Sequence, residues 1–456
     1  MTLIPAQLAQ GFIGTRDFRI LALEGDSVLM ESESEISPGC LNSPFNLKLF
    51  DFKRFAFDDF AFPHWNIVDE IDKGFYFEYK LEIQSGDSEN YYRALDEMRR
   101  VSDFRRDISD LDEMEERKKE LDFLNGHQNL YPRKEDEHFF DSYKEQVEEW
   151  YRFDLPEEQN KEFAALARRI RTALAIDNTA MYGEAVASGF PRLIETCLQQ
   201  PDVRSHGIFS RDFTRLYIGN AFCPHLSPRA TGMLKLLDRA LEANLEVTVV
   251  FSYMTEDMVG PAKQMLKLIN KWCVKNGRGL EIEVNDLGML DMFNENNSNL
   301  TPILGRMLNK RTKDPTHHWK WGYRDLAEQM KENHLNARHF IDYLAEHGIN
   351  RFEFESCGGD VSVPPGKHSL HFPFYQMNTS QYCVLYADCN YFHRKFERPV
   401  KQCPRYCRHF VSLYPKHLDM IGRGNSNFGF DNRIFLEPDL LRTYIDAGID
   451  RLVYSI

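Results

Sequence analysis

The chain has 456 residues, 42% hydrophobic and 28% charged, enough for two or three domains around a well-buried core; with 34 phenylalanines it is not the composition of a disordered chain. A formal net charge of −14, from 56 basic against 70 acidic residues, opposes nonspecific attraction to nucleic acid and leaves room only for a local basic groove. The first residues carry no charged segment followed by an apolar one, and no run approaches a membrane span, so a cytoplasmic protein with reduced thiols is expected.

Residues 15–85 read as β structure. Phe75, Phe77, Tyr79, Leu81 and Ile83 alternate with Glu78, Lys80 and Glu82, the period of a strand with one wet face, and Phe45, Leu47 and Leu49 repeat it. With the turn at Pro38 and Gly39, this predicts a small antiparallel barrel or sandwich over 1–87. It resembles a PilZ-type barrel only loosely: the arginine pair and the Asp/Asn-x-Ser-x-x-Gly motif are missing, so a docking or scaffolding role is expected rather than cyclic-dinucleotide binding. From 88 to 212 the pattern turns helical. The mixed charges of 111–120 read as a solvated helix face, and Phe163, Leu166, Ile170 and Leu174 form a 3-4-4 apolar stripe, so this part is expected to be a helical connector.

Beyond residue 213, short apolar runs alternate mostly with helices. The strands expected are 216–219, 245–251, 280–285, 301–304, 351–355, 368–374, one near Met420, and 451–456. Eight such strands predict an α/β fold, a (β/α)8 TIM-like barrel over 213–456, whose ligands would sit at the C-terminal ends of the strands. Asn285, Asp286, Arg306, Asn309 and Lys310 end or follow predicted strands and are candidate substrate-binding groups; loop capping and surface charge explain them equally well. His317 and His318 beside Trp319 and Trp321 read as a solvated aromatic loop. No His-Glu-x-x-His or Gly-x-Ser-x-Gly motif occurs.

Three of the nine cysteines, Cys389, Cys403 and Cys407, fall within nineteen residues. The three-residue spacer between Cys403 and Cys407, interrupted by Pro404, lets both thiols turn toward one centre. A fourth ligand would come from Cys383 or from Cys223. Buried structural thiols are the bland reading. Against it stand Arg394, Lys395, Arg398, Lys401, Arg405, Arg408 and Lys416, opposed only by Glu397 and Asp388, because local cations stabilise a negatively charged thiolate centre. Four-thiolate zinc competes with an iron-sulfur cluster, although the thirteen-residue spacer between Cys389 and Cys403 is unlike a compact zinc ribbon.

These segments resemble the collagenase-like peptidase family, and within it the iron-sulfur branch that includes the paired subunits of oxygen-independent ubiquinone hydroxylation. Tyr217 to Cys223 looks like that branch's first-strand motif ending in a ligand cysteine. Leu385 to Cys389, Glu397 to Cys403 and the Cys403/Cys407 pair look like its other three. Glu283 to Asp286, Leu304 to Lys310 and Ile445 to Asp450 also match family patterns. The similarity covers 213–456. It implies a [4Fe-4S] cluster on Cys223, Cys389, Cys403 and Cys407, with Cys383 spare. It also implies a subunit of an oxygen-independent hydroxylase, partnered by a second family member and acting on a small aromatic molecule or an RNA base. The alternatives are a peptidase of that family and a metal-stabilised RNA-binding module.

Overall fold

Short apolar runs separated by amphipathic helices bury themselves best as a parallel sheet flanked by helices. The computed structural model describes residues 2–3, 8–32, 35–37, 39, 43–51, 54, 56–73, 76–84, 88–109, 137–293, 297–313, 327–357, 360–389, 400, 403–408, 411–414 and 416–455; of these, 2–3, 88, 101–109, 137–142, 327–328, 387–389 and 417 are described by backbone alone. The chain divides into two compact units, Met1–His127 with Leu413–Asp419, and Gln128–Ser412 with Met420–Ile456.

The second unit holds eight parallel strands that neighbour one another in chain order: Arg171–Ile176, Arg215–Gly219, Glu246–Val250, Leu280–Val284, Leu300–Leu304, Glu353–Glu355, His368–Phe372 and Ile449–Tyr454. The eighth pairs with the first, and a parallel bridge between Leu304 and Phe352 joins the fifth to the sixth, so the sheet closes on itself. This is the TIM-like barrel expected. Its helices are amphipathic. Ala230–Glu242 buries Met233, Leu236, Leu237 and Ala240, one stripe of a 3.6-residue period, and Glu256–Asn276 ends at Gly277 in the left-handed region.

Two strands differ from expectation. The first barrel strand, Arg171–Ile176, lies in the stretch expected to be a helical connector. The helix there is Glu157–Ala167; it buries Phe163 and Leu166, closes at Arg168, and leaves Ile170 and Leu174 outside it. Helical spacing persisted by coincidence across the helix end. The segment near Met420 is not a barrel strand. Met420–Arg423 pairs antiparallel with Ser426–Phe430 across Gly424 and Asn425, and Ser426–Phe430 pairs antiparallel with Phe374–Thr379.

Aromatic side chains fill one flank of this unit. Phe435 packs against Phe153 and Phe372, with centroids 4.6 and 5.5 Å apart, and Trp150 stacks on Phe430 at 4.7 Å. His206 lies among them, its Nε2 2.8 Å from the Phe435 carbonyl and its Nδ1 accepting from the Ile208 amide, while burial lowers its pKa to about 4. It is a neutral core histidine.

The first unit is an eight-stranded antiparallel sheet, as the alternation predicts. Phe77–Gln84 turns Tyr79, Leu81 and Ile83 inward, and the helix Ser88–Ser109 adds Tyr91, Leu95 and Met98 to the same core. The Tyr91 hydroxyl donates to the Gly25 carbonyl at 2.9 Å.

Gly219 ends the second barrel strand at φ +130°, and a Cβ there would run into the Val250 carbonyl. Gly219→Ala is therefore expected to destabilise the protein by at least about 2 kcal/mol. Gly183→Ala, inside the helix Thr179–Ser188 with nothing within 4 Å, should stabilise it by about 0.5–1 kcal/mol. Urea unfolding of both variants checks the contrast.

Candidate functional site

Alternation along a barrel strand sends every second side chain into the lumen, and here many of those positions are charged. Arg451 on the eighth strand donates to both Glu281 oxygens on the fourth, at 2.7 and 3.0 Å, and to the Tyr217 hydroxyl at 2.8 Å. Arg215 reaches Glu281 at 3.1 Å and Arg351 reaches Asp450 at 2.8 Å. One layer further along, the Tyr217 hydroxyl lies 3.1 Å from Glu353 Oε1, and His371 Nε2 lies 2.7 Å from Glu353 Oε2. Glu353 and His371 are fully buried.

Burial pushes the His371 pKa down to about 4, with Arg306 acting in the same direction and Glu353 against. The imidazole is therefore neutral and donates its Nε2–H to Glu353, which leaves Nδ1 as an acceptor that no protein atom fills. Burial opposes ionisation of Glu353, and the His371 N–H, Arg451 and Arg351 outweigh it, so that carboxyl is held below the ordinary range. Glu283 goes the other way. Burial raises it to about 7 despite Arg306, Glu353 adds to the rise, and its Oε2 has no hydrogen-bond partner. A carboxyl pushed up toward neutrality thus shares Glu353 as a neighbour with an imidazole that has an open lone pair, two groups of the kind proton transfer uses.

The thiols lie at the C-terminal rim. Asn220, just past the second strand, accepts from the amides of Phe222 at 2.9 Å and Cys223 at 2.7 Å, and donates to the Asp177 carbonyl past the first strand at 3.0 Å. Asn425, in the hairpin turn, donates to the carbonyls of Phe222 at 2.8 Å and Ser380 at 2.7 Å. The Leu385 amide donates to Gly424 at 3.3 Å, Arg405 Nε donates to the His225 carbonyl at 3.1 Å, and the rings of Tyr386 and Tyr406 are 6.1 Å apart. Three loops are laced together in this way, and their thiols feel one another. Desolvation pushes Cys223 up to about 12, and the neighbouring Cys407 and Cys403 add to the rise. Cys407 is pushed up to about 11 by desolvation and by Cys403. Cys383 is raised by desolvation, with Cys223, Cys403 and Cys407 contributing. Tyr253, past the third strand, is raised to about 12 by desolvation and by Cys223, and bonds to Asn425.

Among the described residues, no three His, Cys, Asp or Glu side chains stand close enough together to hold one ion. Cys389 ends the helix Val384–Cys389, and its side chain lies outside the described residues, as do Arg394, Lys395, Glu397, Arg398 and Lys401. His317, His318, Trp319 and Trp321 also lie outside them. Lys416 pairs with Asp96 at 3.6 Å.

The five candidate binding residues separate into two kinds. Asn285 is an organiser: it donates to Phe251 at 2.8 Å and Glu283 at 3.1 Å and accepts from the Met307 amide. Asp286 accepts from the amides of Gly288 and Met254, capping a short turn. Arg306, by contrast, lies 4.7 Å over the Phe222 ring and 3.6 Å from Glu355, with its Nε unpartnered. Asn309 donates to the Glu353 carbonyl at 3.3 Å and has a buried, unpartnered Oδ1. Lys310 is lowered by desolvation and by Lys313, which itself pairs with Glu355. Glu283, Glu353 and His371 had a signal in the sequence, the alternation of 280–284, 353–355 and 368–372, which does not say which side of a strand faces a lumen.

No family model matches the chain, and no curated protein matches it. A solved structure described as that of the U32 peptidase Mk0906 is similar over 63% of this chain and 92% of its own, with 7% identity and a TM-score of 0.28. At that level the likeness assigns neither family nor chemistry.

The Glu283 carboxyl carries a pH signature. It exchanges its proton near pH 7 when folded and near 4.5 otherwise. The folded state therefore binds more protons between these values, and the group's contribution to stability is fully present below pH 4.5 and lost as pH rises through 7. His371, lowered from 6.5 to about 4, acts in the opposite sense, so the comparison is made against Glu283→Gln. The unfolding free energy of the wild type relative to that variant should fall steadily between pH 4.5 and pH 8 in urea titrations. A difference independent of pH would show a carboxyl already ionised.

Proposed function

We propose that the protein is an iron-sulfur protein, a subunit of an oxygen-independent hydroxylase, with a [4Fe-4S] cluster held by Cys223, Cys389, Cys403 and Cys407 at the barrel rim. The observation that carries this reading is the lacing of the Cys223, Cys383 and Cys403/Cys407 loops. It brings thiols from distant parts of the chain into mutual electrostatic reach at the barrel rim. Such a donor set fits a soft, thiolate-bound centre. When bound, a cluster supplies electron transfer or a Lewis-acidic iron. The chain's own residues supply the rest: Arg306 stands over Phe222 at the rim with Asn309 among the lumen groups, Glu353 holds the His371 ring, and His371 Nδ1 and Glu283 accept and donate protons. The substrate class, a small aromatic molecule or an RNA base, and the pairing with a second family member come from the motif resemblance.

A specific observation favours a second ligand set. Cys383, spare by resemblance, is among the thiols that raise one another. Variants separate the two. Purified anaerobically, the wild type should be brown, with iron and sulfide in near-equal amounts. Alanine at Cys223, Cys389, Cys403 or Cys407 should remove most of both, and Cys383→Ala should keep its visible absorbance. Retention by Cys223→Ala with loss by Cys383→Ala would move the fourth ligand to Cys383. A colourless protein with one zinc would overturn the cluster. The hydroxylase assignment is tested by comparing metabolites and RNA modifications of a deletion strain grown without oxygen, where an unchanged profile would refute it.

A further inference from the structure

Beside the thiol rim, a groove of about 610 Å³ runs between the helices Thr179–Ser188 and Ala230–Glu242. Arg229, Lys235 and Arg405 line it, and no acidic side chain does, in a chain whose net charge is −14. None of the three is ion-paired to a carboxylate among the described residues. Basic side chains on neighbouring surfaces do find an acid: Arg169 pairs with Asp446, Arg171 with Asp450 and Arg239 with Glu242. Three cations gathered around one concavity with no acid among its lining residues make it a positive site.

Two further features point to a ligand. Thr179 Oγ1 is buried, belongs to a residue that lines the same groove, and has no hydrogen-bond partner. Arg405 has φ +62°, a left-handed backbone that a residue with a long side chain rarely adopts and that costs roughly 1–3 kcal/mol. Its Nε is spent on the His225 carbonyl at 3.1 Å, which fixes the guanidinium at the groove's edge. The helix Ala230–Glu242 begins at Arg229 with no side-chain cap, so its first amides add to the positive field. The remaining wall is largely apolar, with Leu236 among its residues.

We infer that this groove binds a phosphate monoester with an apolar or aromatic body. A dianion answers three cations and an open helix end, its oxygens can accept from the idle Thr179 hydroxyl, and the organic part lies on the apolar wall. This does not depend on a metal at the cysteines.

The test is calorimetric titration of the anaerobically purified full chain with phenyl phosphate, inorganic phosphate and benzoate. Phenyl phosphate should bind at least about tenfold more tightly than either of the others and weaken as salt is raised. Lys235→Gln and Arg229→Gln, on the helix side and away from the cysteines, should each weaken it about tenfold; Arg405→Gln should do the same, with circular dichroism showing that the variants fold. Several outcomes would overturn the proposal: no binding by the wild type at millimolar phenyl phosphate, benzoate binding as tightly, inorganic phosphate binding as tightly, or a single-stranded RNA binding through these residues where phenyl phosphate does not.

Discussion

Arg451 is 1% exposed and reaches from the eighth barrel strand to Glu281 on the fourth, so the two sides of the lumen are tied by a buried ion pair. Taking both charges out of water is expensive, and the pair is worth its place only because every partner is supplied: Tyr217 takes another donor of Arg451, and Arg215 and Thr248 complete Glu281. Removing one partner alone would leave an uncompensated charge in the lumen, at a cost of roughly 3–5 kcal/mol. A lumen packed with branched aliphatic side chains would tolerate small slips in strand register. This one does not, because a shift by one residue would turn Glu281 and Arg451 out of the lumen and leave their partners unpaired.

That rigidity is passed upward. Tyr217 is held by Arg451 below it and bonds to Glu353, and Glu353 in turn orients His371. The acid-base group is thus fixed by a chain of hydrogen bonds that starts in the ion-pair layer, and Glu283 is left with one carboxyl oxygen, Oε2, that has no hydrogen-bond partner. The rim is organised differently. Asn220 and Asn425 bind backbone amides and carbonyls there, and so set the course of the loops that carry the thiols. A rigid lumen and loops pinned by their own backbone groups together form a barrel site.

Much of the barrel was legible because a buried parallel strand advertises itself as a short apolar run. The run at 247–250 and the alternation at 280–284 needed nothing else. Arg171–Ile176 was hidden because Ala173, Leu174 and Ala175 have helical propensity and the stripe of Phe163 and Leu166 runs into them in phase. The hairpin at Gly424 and Asn425 did carry a turn signal, and the expected run of eight barrel strands overrode it. Of the site, Arg306 and Asn309 were legible as groups that follow a strand, whereas Glu283 and Glu353 carried no signal beyond the alternation of their strands. Alternation reveals two faces without saying that the polar one looks into a closed lumen. The neighbourhood of Cys383 could not be read at all, since it depends on a hydrogen bond from Asn425, forty-two residues further along the chain.

The state of the thiols has a consequence for the rim. Desolvation, the largest influence on Cys223 and Cys407, pushes them to about 12 and 11, so both are protonated at neutral pH. Protonated thiols repel one another little, and the loops can be held by the hydrogen bonds of Asn220, Asn425 and Arg405. Thiolates crowded together without a counter-charge could not stay, because each would raise the others and the nearby Arg405 is one cation against several. Any soft metal centre that bound here would have to displace these protons, so its affinity would rise with pH and its binding energy would be shared with the order of the three loops. The lumen keeps its form through charges that are already paired, whereas the rim, with its protons in place, stores the capacity to hold charge that arrives from outside.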